Sequence, residues 1–438
     1  MSTTKLVVLD DDPTGSQTVH DCLLLMQWDI ETLSEAIDDG APLFFILTNT
    51  RAMDAARAAA TTREVCRNLK RALAGKDLNP IFISRSDSTL RGHYPVETDV
   101  MAEELGPFDA HFIVPAFFEA GRITRDSTHY LQTDQRLVPV HETEFARDSV
   151  FAYHNSYLPA YVEEKTAGRI AANQVERFVR ADLHRDIEAR LMTLSDNACV
   201  VVDGETQADL DTFARSVKYA AERGKRFLFR SAASMITALA ELPPQPLERE
   251  QIHQLARSRP GAVIAGSHVA RTTAQLAELR KEANLEAIEI DVTVLPQQYA
   301  TQLERAVSQA ANAHAQGRDV LIFTSRGERV FADRGERLAF GEHVSQLLVE
   351  IVQRLPKSLG WLIAKGGITS NDVLSKGLAL RSARLLGQIV PGVSIIRCPP
   401  DSAFGELPVV IFPGNVGDDQ SLAVAYRLLT NRVTAPVS

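Results

Sequence analysis

Cysteine is scarce and scattered, with Cys22, Cys66, Cys199 and Cys398 the four thiols in 438 residues. None stands in C-x-x-C or Cys/His spacing, so neither a zinc site nor a disulfide framework is expected, and the four read as core thiols. No apolar run approaches the ~18 residues of a membrane span. The start, MSTTKLVVLDDD, lacks a basic stretch followed by a cleavable apolar segment, which leaves the cytoplasm as the expected compartment. Positive charge is in deficit, 47 Lys+Arg against 56 Asp+Glu, which argues against binding a nucleic-acid polymer. Short-period repeats, low-complexity tracts, G-x-S-x-G, H-E-x-x-H and G-x-x-x-x-G-K-[ST] are all missing. With 45% hydrophobic and 24% charged residues, the chain is of ordinary soluble, globular composition, long enough for two or three domains.

Short runs of Val, Ile, Leu and Phe recur instead. They predict strands at Lys5–Leu9, Leu43–Leu47, Ile81–Ser84, Phe112–Val114, Cys199–Val202, Phe227–Phe229, Ala262–Ala265, Ile288–Ile290, Val320–Phe323, Trp361–Ala364 and Val409–Phe412. Near-continuous apolar strands suit a parallel sheet covered on both faces. Amphipathic stretches such as Ala55–Leu73, Gln207–Arg223, Ala270–Ala283, Gln298–Ala315, Arg337–Leu355 and Gln420–Leu429 predict the covering helices, so the fold class is α/β with mostly parallel sheets. Three prolines within Leu242-Pro243-Pro244-Gln245-Pro246 favour an extended connector, dividing the chain into 1–242 and 243–438. Residues Tyr130 to Glu164 carry few strand or helix signals and read as an excursion or β-ribbon of the first half.

Polar, glycine-bearing loops follow the strands in both halves, where open α/β sheets bind ligands. Asp10-Asp11-Asp12 sets three like charges side by side, costly unless a metal, a base or a substrate hydroxyl relieves them. The following Thr14-Gly15-Ser16 is expected to turn the chain and begin a helix, for which Asp12 or Thr14 could be the cap. Arg51, Arg85, Arg91 and Arg122 lie in loops expected on one sheet edge, where guanidinium forks suit a carboxylate or phosphate. Beside Asp87, Ser88 and Thr89, they favour a small hydroxylated anion. In the second half, Lys365-Gly366-Gly367-Ile368-Thr369-Ser370 runs from a buried strand toward a helix expected at Asn371–Leu378, a setting for phosphate or simply a tight turn. Gly266-Ser267 and Gly414-Asn415-Val416-Gly417 stand in similar positions. Among histidines, His93 is the site candidate, with a structural role equally open.

On these loops the chain resembles the four-carbon acid-sugar kinase family. Asp11-Asp12-Pro13-Thr14-Gly15 corresponds to its D-D-x-T-G, Asp87 through Gly92 to D-S-T-L-R-G, and Pro115 through Arg122 to P-A-F-x-x-x-G-R. Gly266-Ser267 and Gly366-Gly367-Ile368-Thr369 look like its nucleotide loops. Asn49, His93 and Phe412-Pro413 depart from the family pattern, which commonly has an acid, an asparagine and K-S at these places. The resemblance implies a sugar-acid-binding domain followed by a nucleotide-binding domain, with the active site in the cleft between them. It further implies ATP-dependent phosphorylation of a terminal hydroxyl on a short aldonate or oxo-aldonate such as threonate, erythronate or 3-oxo-tetronate. Asp12 and Asp11 would be catalytic, and Arg51, Asp87, Ser88, Arg91 and Arg122 would bind the acid. Ser267, Gly366, Gly367, Ile368, Thr369 and Gly414 would bind the nucleotide, with ATP and Mg2+ as cofactors and the metal ligands unassigned. Expected partners are the sugar acid and ATP, with neither nucleic-acid polymer nor membrane; homo-oligomerisation stays open. A ligand-responsive binding protein without turnover, or a metal-dependent sugar-acid lyase or isomerase, are the alternatives.

Overall fold

The apolar runs are strands, and the sheet built from them sets the site. The computed structural model describes residues 3–133, 136–185, 187–242, 247–256, 258–326 and 334–430. The chain divides into units Met1–Pro244 and Gln245–Ser438. The expected connector's Pro243, Pro244, Gln245 and Pro246 lie outside the described residues.

The strands of the first unit are β1 (Thr3–Asp10), β2 (Cys22–Leu25), β3 (Leu43–Leu47), β4 (Leu78–Arg85), β5 (Ala110–Val114), β6 (Arg122–Arg125), β7 (Thr128–Gln132), β8 (Leu137–Pro139), β9 (Glu176–Phe178), β10 (Ala198–Val202) and β11 (Phe227–Ser231). The main sheet runs β2-β3-β1-β4-β11-β5-β10-β9, with every neighbouring pair parallel. β3 and β5 are buried at every residue, as helices on both faces require. One such helix, Ala55–Ala72, is capped by Asp54 and buries Ala58, Thr62, Val65, Cys66 and Leu69 on one stripe. Phe112 on β5 anchors an aromatic cluster, its ring centroid 5.0 Å from Phe229, 5.2 Å from Phe227 and 5.3 Å from Phe213.

From β1 the chain goes to β2 and β3 on one side, then returns to β4 on the other. Strand order therefore reverses at β1, and ligands bind beyond the carboxyl ends at such a reversal. Register aligns Asp10 with Leu47 and with Arg85, so loops 11–15, 48–53 and 86–92 open on one edge.

The expected ribbon begins at Arg122, before Tyr130, and is a three-stranded antiparallel sheet β6-β7-β8; the excursion also carries the helix Leu158–Lys165. β2 and β9 were not expected, since runs of three or four residues give too little periodicity to read.

The second unit contains β12 (Ala262–Ala265), β13 (Leu285–Ile290), β14 (Asp319–Thr324), β15 (Leu362–Lys365), β16 (Ser382–Val390), β17 (Val393–Arg397) and β18 (Pro408–Phe412). Their order is β13-β14-β12-β15-β18-β17-β16, parallel as far as β18 and antiparallel beyond. The β16–β17 pair was missed because β16 alternates buried and half-buried positions over much of its length and so shows no continuous apolar run. In the core, Trp361 packs edge-on against Tyr426, whose hydroxyl donates to buried Asp319 Oδ2 at 2.8 Å. Among the described residues no helix is long and apolar enough to cross a membrane.

Candidate active site

In the first unit the three aspartates leave β1 into different environments. Asp10 is fully buried; its Oδ1 faces Arg85 Nη1 at 3.4 Å, and its Oδ2 has no hydrogen-bond partner. Burial pushes its carboxyl up to about 7. Asp11 takes Arg51 on both oxygens, Nε to Oδ2 at 3.1 Å and Nη2 to Oδ1, with Arg85 Nη1 at 3.6 Å. Burial still raises Asp11 against the pull of Arg51. Asp12 goes the other way: burial would raise it, but Arg51 and the hydrogen bonds from Thr14 outweigh burial and hold it below the usual carboxylate range. Its Oδ1 accepts from Thr14 N at 2.8 Å and from the Thr14 hydroxyl, and its Oδ2 accepts from Arg51 Nη1 at 3.3 Å. An acceptor position stays open on Oδ2. The Asp12 side chain is 22% exposed against 2% for Asp11, so the ionised carboxylate that a ligand can reach is Asp12.

No helix begins at Gly15, contrary to expectation: residues 13–18 are turns, and the next helix is Ile30–Asp38. The cap reading therefore fails. What Asp12 closes is a turn onto Thr14.

Arg51 is held from behind. The 48–51 backbone hangs on β1 through Thr48 N to Asp10 O at 2.9 Å and Arg51 N to Asp11 O at 3.2 Å. His93 Nε2 faces the carbonyls of Thr50 (3.1 Å) and Met53 (3.0 Å), both acceptors, so it donates and pins this turn. Its role here is structural.

Asp87, Arg91 and Arg122 form a second group. Arg91 Nε donates to Asp87 Oδ2 at 2.7 Å, and the Thr89 hydroxyl donates to the same oxygen. Burial alone would raise Asp87, but Arg51 and Arg91 hold it far below the usual range, which ties the two groups electrostatically. Arg122 makes no ion pair within 4.0 Å among the described residues; its Nη1 meets only the Ala120 carbonyl, and its buried Nε has no partner. Ser88 is buried and offers its carbonyl, not its hydroxyl, to a neighbour, His129. A small cavity at this loop is lined by Ser86, Asp87, Tyr94, Pro115, Tyr161 and Arg230 among others.

Two residues behind the site had not been singled out. Glu97 and Arg230 form a buried ion pair completed by Ser84 Oγ, 2.7 Å from Arg230 Nη1, and by the Thr50 hydroxyl on Glu97. The signal was Arg230 itself, a charge inside the apolar strand FLFRS.

In the second unit Ser267, Gly366, Thr369 and Gly414 do converge. A Cβ built on Gly366 would lie 2.9 Å from Ser267 Cβ, and one on Gly266 would lie 2.6 Å from Thr369 Oγ1. Gly366 has φ +111°, which lets the chain leave β15 and enter the helix Gly367–Asp372 at once, earlier than the expected start at Asn371. Around Gly414 there is room: the nearest atoms to a Cβ would be Ser267 Oγ at 3.5 Å and Val269 Cγ2 at 3.7 Å. Gly367 and Ile368 start the helix, and Ile368 is 65% exposed.

Lys365 stands under this cradle, its Nζ donating to the carbonyls of Pro413 and Gly414 and lying 4.4 Å from the Phe412 ring centroid. Burial, with Arg271 adding, lowers its ammonium to about 7. Arg326 Nη1 donates to Ser267 O at 2.6 Å. Gly327 and Glu328 of that same loop lie outside the described residues. The room beside Gly414, next to the start of the helix at Gly367, suits a phosphate of a nucleotide. No group of three or more His, Cys, Asp or Glu able to hold a metal occurs among the described residues.

Residues 6–239 match the sequence model of a sugar-binding N-terminal domain, and residues 262–422 that of a nucleotide-binding C-terminal domain. The D-erythronate kinase of Heliobacterium modesticaldum is 23% identical over 456 residues, covering 98% of this chain and 98% of the relative. The D-threonate kinase of Bordetella bronchiseptica is 25% identical over 441 residues, covering 97% of each. The fold is shared with a Salmonella typhimurium protein provisionally named a tRNA synthase, at TM-score 0.68 and 18% identity over 97% of this chain and 99% of that one. It is also shared with a Haemophilus influenzae protein of a domain family of unknown function, at TM-score 0.63 and 16% identity over 96% and 99%.

Proposed function

We propose, from the premise that this chain belongs to the four-carbon acid-sugar kinase family and is an ATP-dependent sugar-acid kinase, that it phosphorylates the terminal hydroxyl of a four-carbon aldonate or oxo-aldonate. D-erythronate and D-threonate are the first substrates to try, being those named for its two kinase relatives.

The observation that carries the reading is the contrast within the aspartate run: Asp12 is ionised and reachable, while Asp10 and Asp11 are buried and raised. Neighbouring carboxyls whose environments push them apart take different roles. Asp12 Oδ2 would accept the substrate hydroxyl, orient it and take its proton as the new P–O bond forms and the bond to the β–γ bridging oxygen breaks, releasing ADP. Asp11 would act one step back by fixing Arg51. Arg91 and Arg122 would hold the carboxylate, because Arg122 is a half-buried cation with no carboxylate within ion-pair distance among the described residues.

ATP would be held by Gly266-Ser267, Gly366–Thr369 and Gly414, with the room beside Gly414 open to a phosphate. Bound Mg2+ would neutralise phosphate charge, and it needs only one or two protein carboxylates because the phosphates supply ligands. Coupled ADP release over a panel of C4–C6 aldonates and oxo-aldonates with Mg-ATP tests the proposal. ADP should form only when an acid is present, fastest with a four-carbon acid. Conversion of an acid without ATP would overturn it.

A further inference from the structure

The excursion between β5 and β9 is fastened to the arginine loop in an unusually regular way. Three of its side chains donate to three consecutive backbone carbonyls: His129 Nε2 to Ser88 O at 2.7 Å, Tyr153 to Thr89 O at 2.7 Å and Tyr161 to Leu90 O at 2.9 Å. The His129 tautomer is dictated by its neighbours, since Nδ1 lies 2.9 Å from the Thr124 hydroxyl and Nε2 faces a carbonyl. Burial lowers this imidazole to about 4, so it stays neutral and keeps Nε2–H as donor. Leu90, with φ +66°, holds a left-handed conformation that a leucine adopts only when its surroundings impose it.

The same excursion supplies Phe145. The Arg91 and Arg122 guanidinium carbons lie 5.2 and 5.9 Å from the centroid of this one ring. Two like charges so placed repel each other, and an aromatic face is a surface that attracts both. Asp87 and, at 3.6 Å, Asp148 face Arg91, whereas Arg122 has no carboxylate within ion-pair distance among the described residues.

We propose that Phe145 is a specificity-determining residue of the acid site, the shared wall that sets the separation of Arg91 and Arg122, with Tyr153 as a positioning residue through the Thr89 carbonyl. The inference rests on the reading that these arginines hold the substrate carboxylate. Where the carboxylate sits decides which hydroxyl of a given acid reaches Asp12, so the wall selects acid length.

The test is steady-state kinetics of Phe145→Leu, Phe145→Tyr, Tyr153→Phe and Arg122→Ala, with D-threonate, D-erythronate and five- and six-carbon aldonates. Phe145→Leu should raise KM for the four-carbon acid about tenfold and narrow its preference over longer acids by a similar factor, with KM for ATP within twofold of the wild type. Phe145→Tyr, which keeps the ring face, should restore both. Tyr153→Phe, which keeps the packing and removes one donor, should raise the acid KM three- to tenfold. The inference is overturned if Phe145→Leu leaves acid KM and length preference unchanged while Arg122→Ala raises acid KM. It is overturned too if the Phe145 and Tyr153 variants shift both substrates' KM equally with a lowered Tm. Should Arg122→Ala also leave acid KM unchanged, or the wild type turn over no acid, the underlying reading falls and the inference with it.

Discussion

Asp10 and Gly15 touch so closely that a Cβ on Gly15 would stand 2.1 Å from both carboxylate oxygens of Asp10. The glycine of this loop is there to admit a buried acid. That contact ties the end of β1 to the turn carrying Asp12, and it makes residue 15 intolerant of any side chain.

Gly15→Ala should therefore destabilise the protein by about 1–3 kcal/mol, the usual range for overpacking. In an Asp10→Ala background the same substitution should cost distinctly less, because the colliding carboxylate is gone. Urea unfolding of the four proteins measures this. Additive effects would show that the two residues do not compete for space.

The protonation of Asp10 gives a pH signature. Its folded-state value of about 7 lies above the ordinary 3.8, so between these limits the folded chain keeps a proton that the unfolded chain has released. Stability from this group is present in full below about pH 4 and declines as pH rises to about 7, by at most about 1.4 kcal/mol per pH unit. Asp10→Asn should lack the decline. The difference in unfolding free energy between variant and wild type should grow from pH 4 to pH 7 and then level off, and a difference independent of pH would refute the assignment.

Asp12→Asn keeps an oxygen that can accept from Thr14 and removes the charge and the proton acceptor. The expected result is a 10²–10⁴-fold fall in kcat with Tm within a few degrees of wild type. Asp11→Asn should behave differently, lowering stability and weakening acid binding, because it takes from Arg51 a buried partner held on two oxygens. Turnover near wild type in Asp12→Asn, with collapse confined to Asp11→Asn, would move the proton-accepting role to Asp11.

Gly414 and Gly266 separate ligand space from folding space. A Cβ at 414 meets nothing closer than 3.5 Å, whereas one at 266 would meet Thr369 Oγ1 at 2.6 Å and Leu348 Cδ1 at 2.8 Å. Gly414→Val should weaken ATP binding at least tenfold while Tm and sugar-acid affinity hold. Gly266→Val should lower Tm by itself. Calorimetric titration with each ligand, beside thermal melts, reads both; unchanged ATP affinity in Gly414→Val would remove that loop from the nucleotide site.

Much of the fold was legible in short stretches of sequence. Leu43–Leu47 and Ala262–Ala265 are strands with the bounds read from their apolar runs, because burial on both faces writes itself into consecutive residues. Loops that follow such strands in a parallel sheet must emerge on one edge, so the gathering of Asp11, Asp12 and Arg51, and of Ser267, Gly366 and Gly414, also follows from chain order. The half-buried β16, the three-residue β9, the lack of a helix after Asp12 and the helix start at Gly367 did not show, since they depend on a partner strand or on close contacts such as Gly15 against Asp10 and Gly366 against Ser267.

How far each aspartate is raised or lowered could not be read from three identical letters. It depends on the depth of each carboxyl and on where Arg51, Arg85 and Thr14 come to rest, and both are properties of space. The same holds for Lys365, whose charge is lowered by its burial beneath Pro413 and Gly414. It holds most fully for His129, Phe145, Tyr153 and Tyr161. They lie in or beside a stretch with little periodicity, and only tertiary packing aligned three of them with successive carbonyls of the loop at 88–90 and set Phe145 against Arg91 and Arg122. Local patterning determined the strands, the loops and the residue types offered at the sheet edge. Contacts between residues far apart in sequence decided their charge, pairing and reach, because desolvation and Coulomb interactions depend on distance through space and not along the chain.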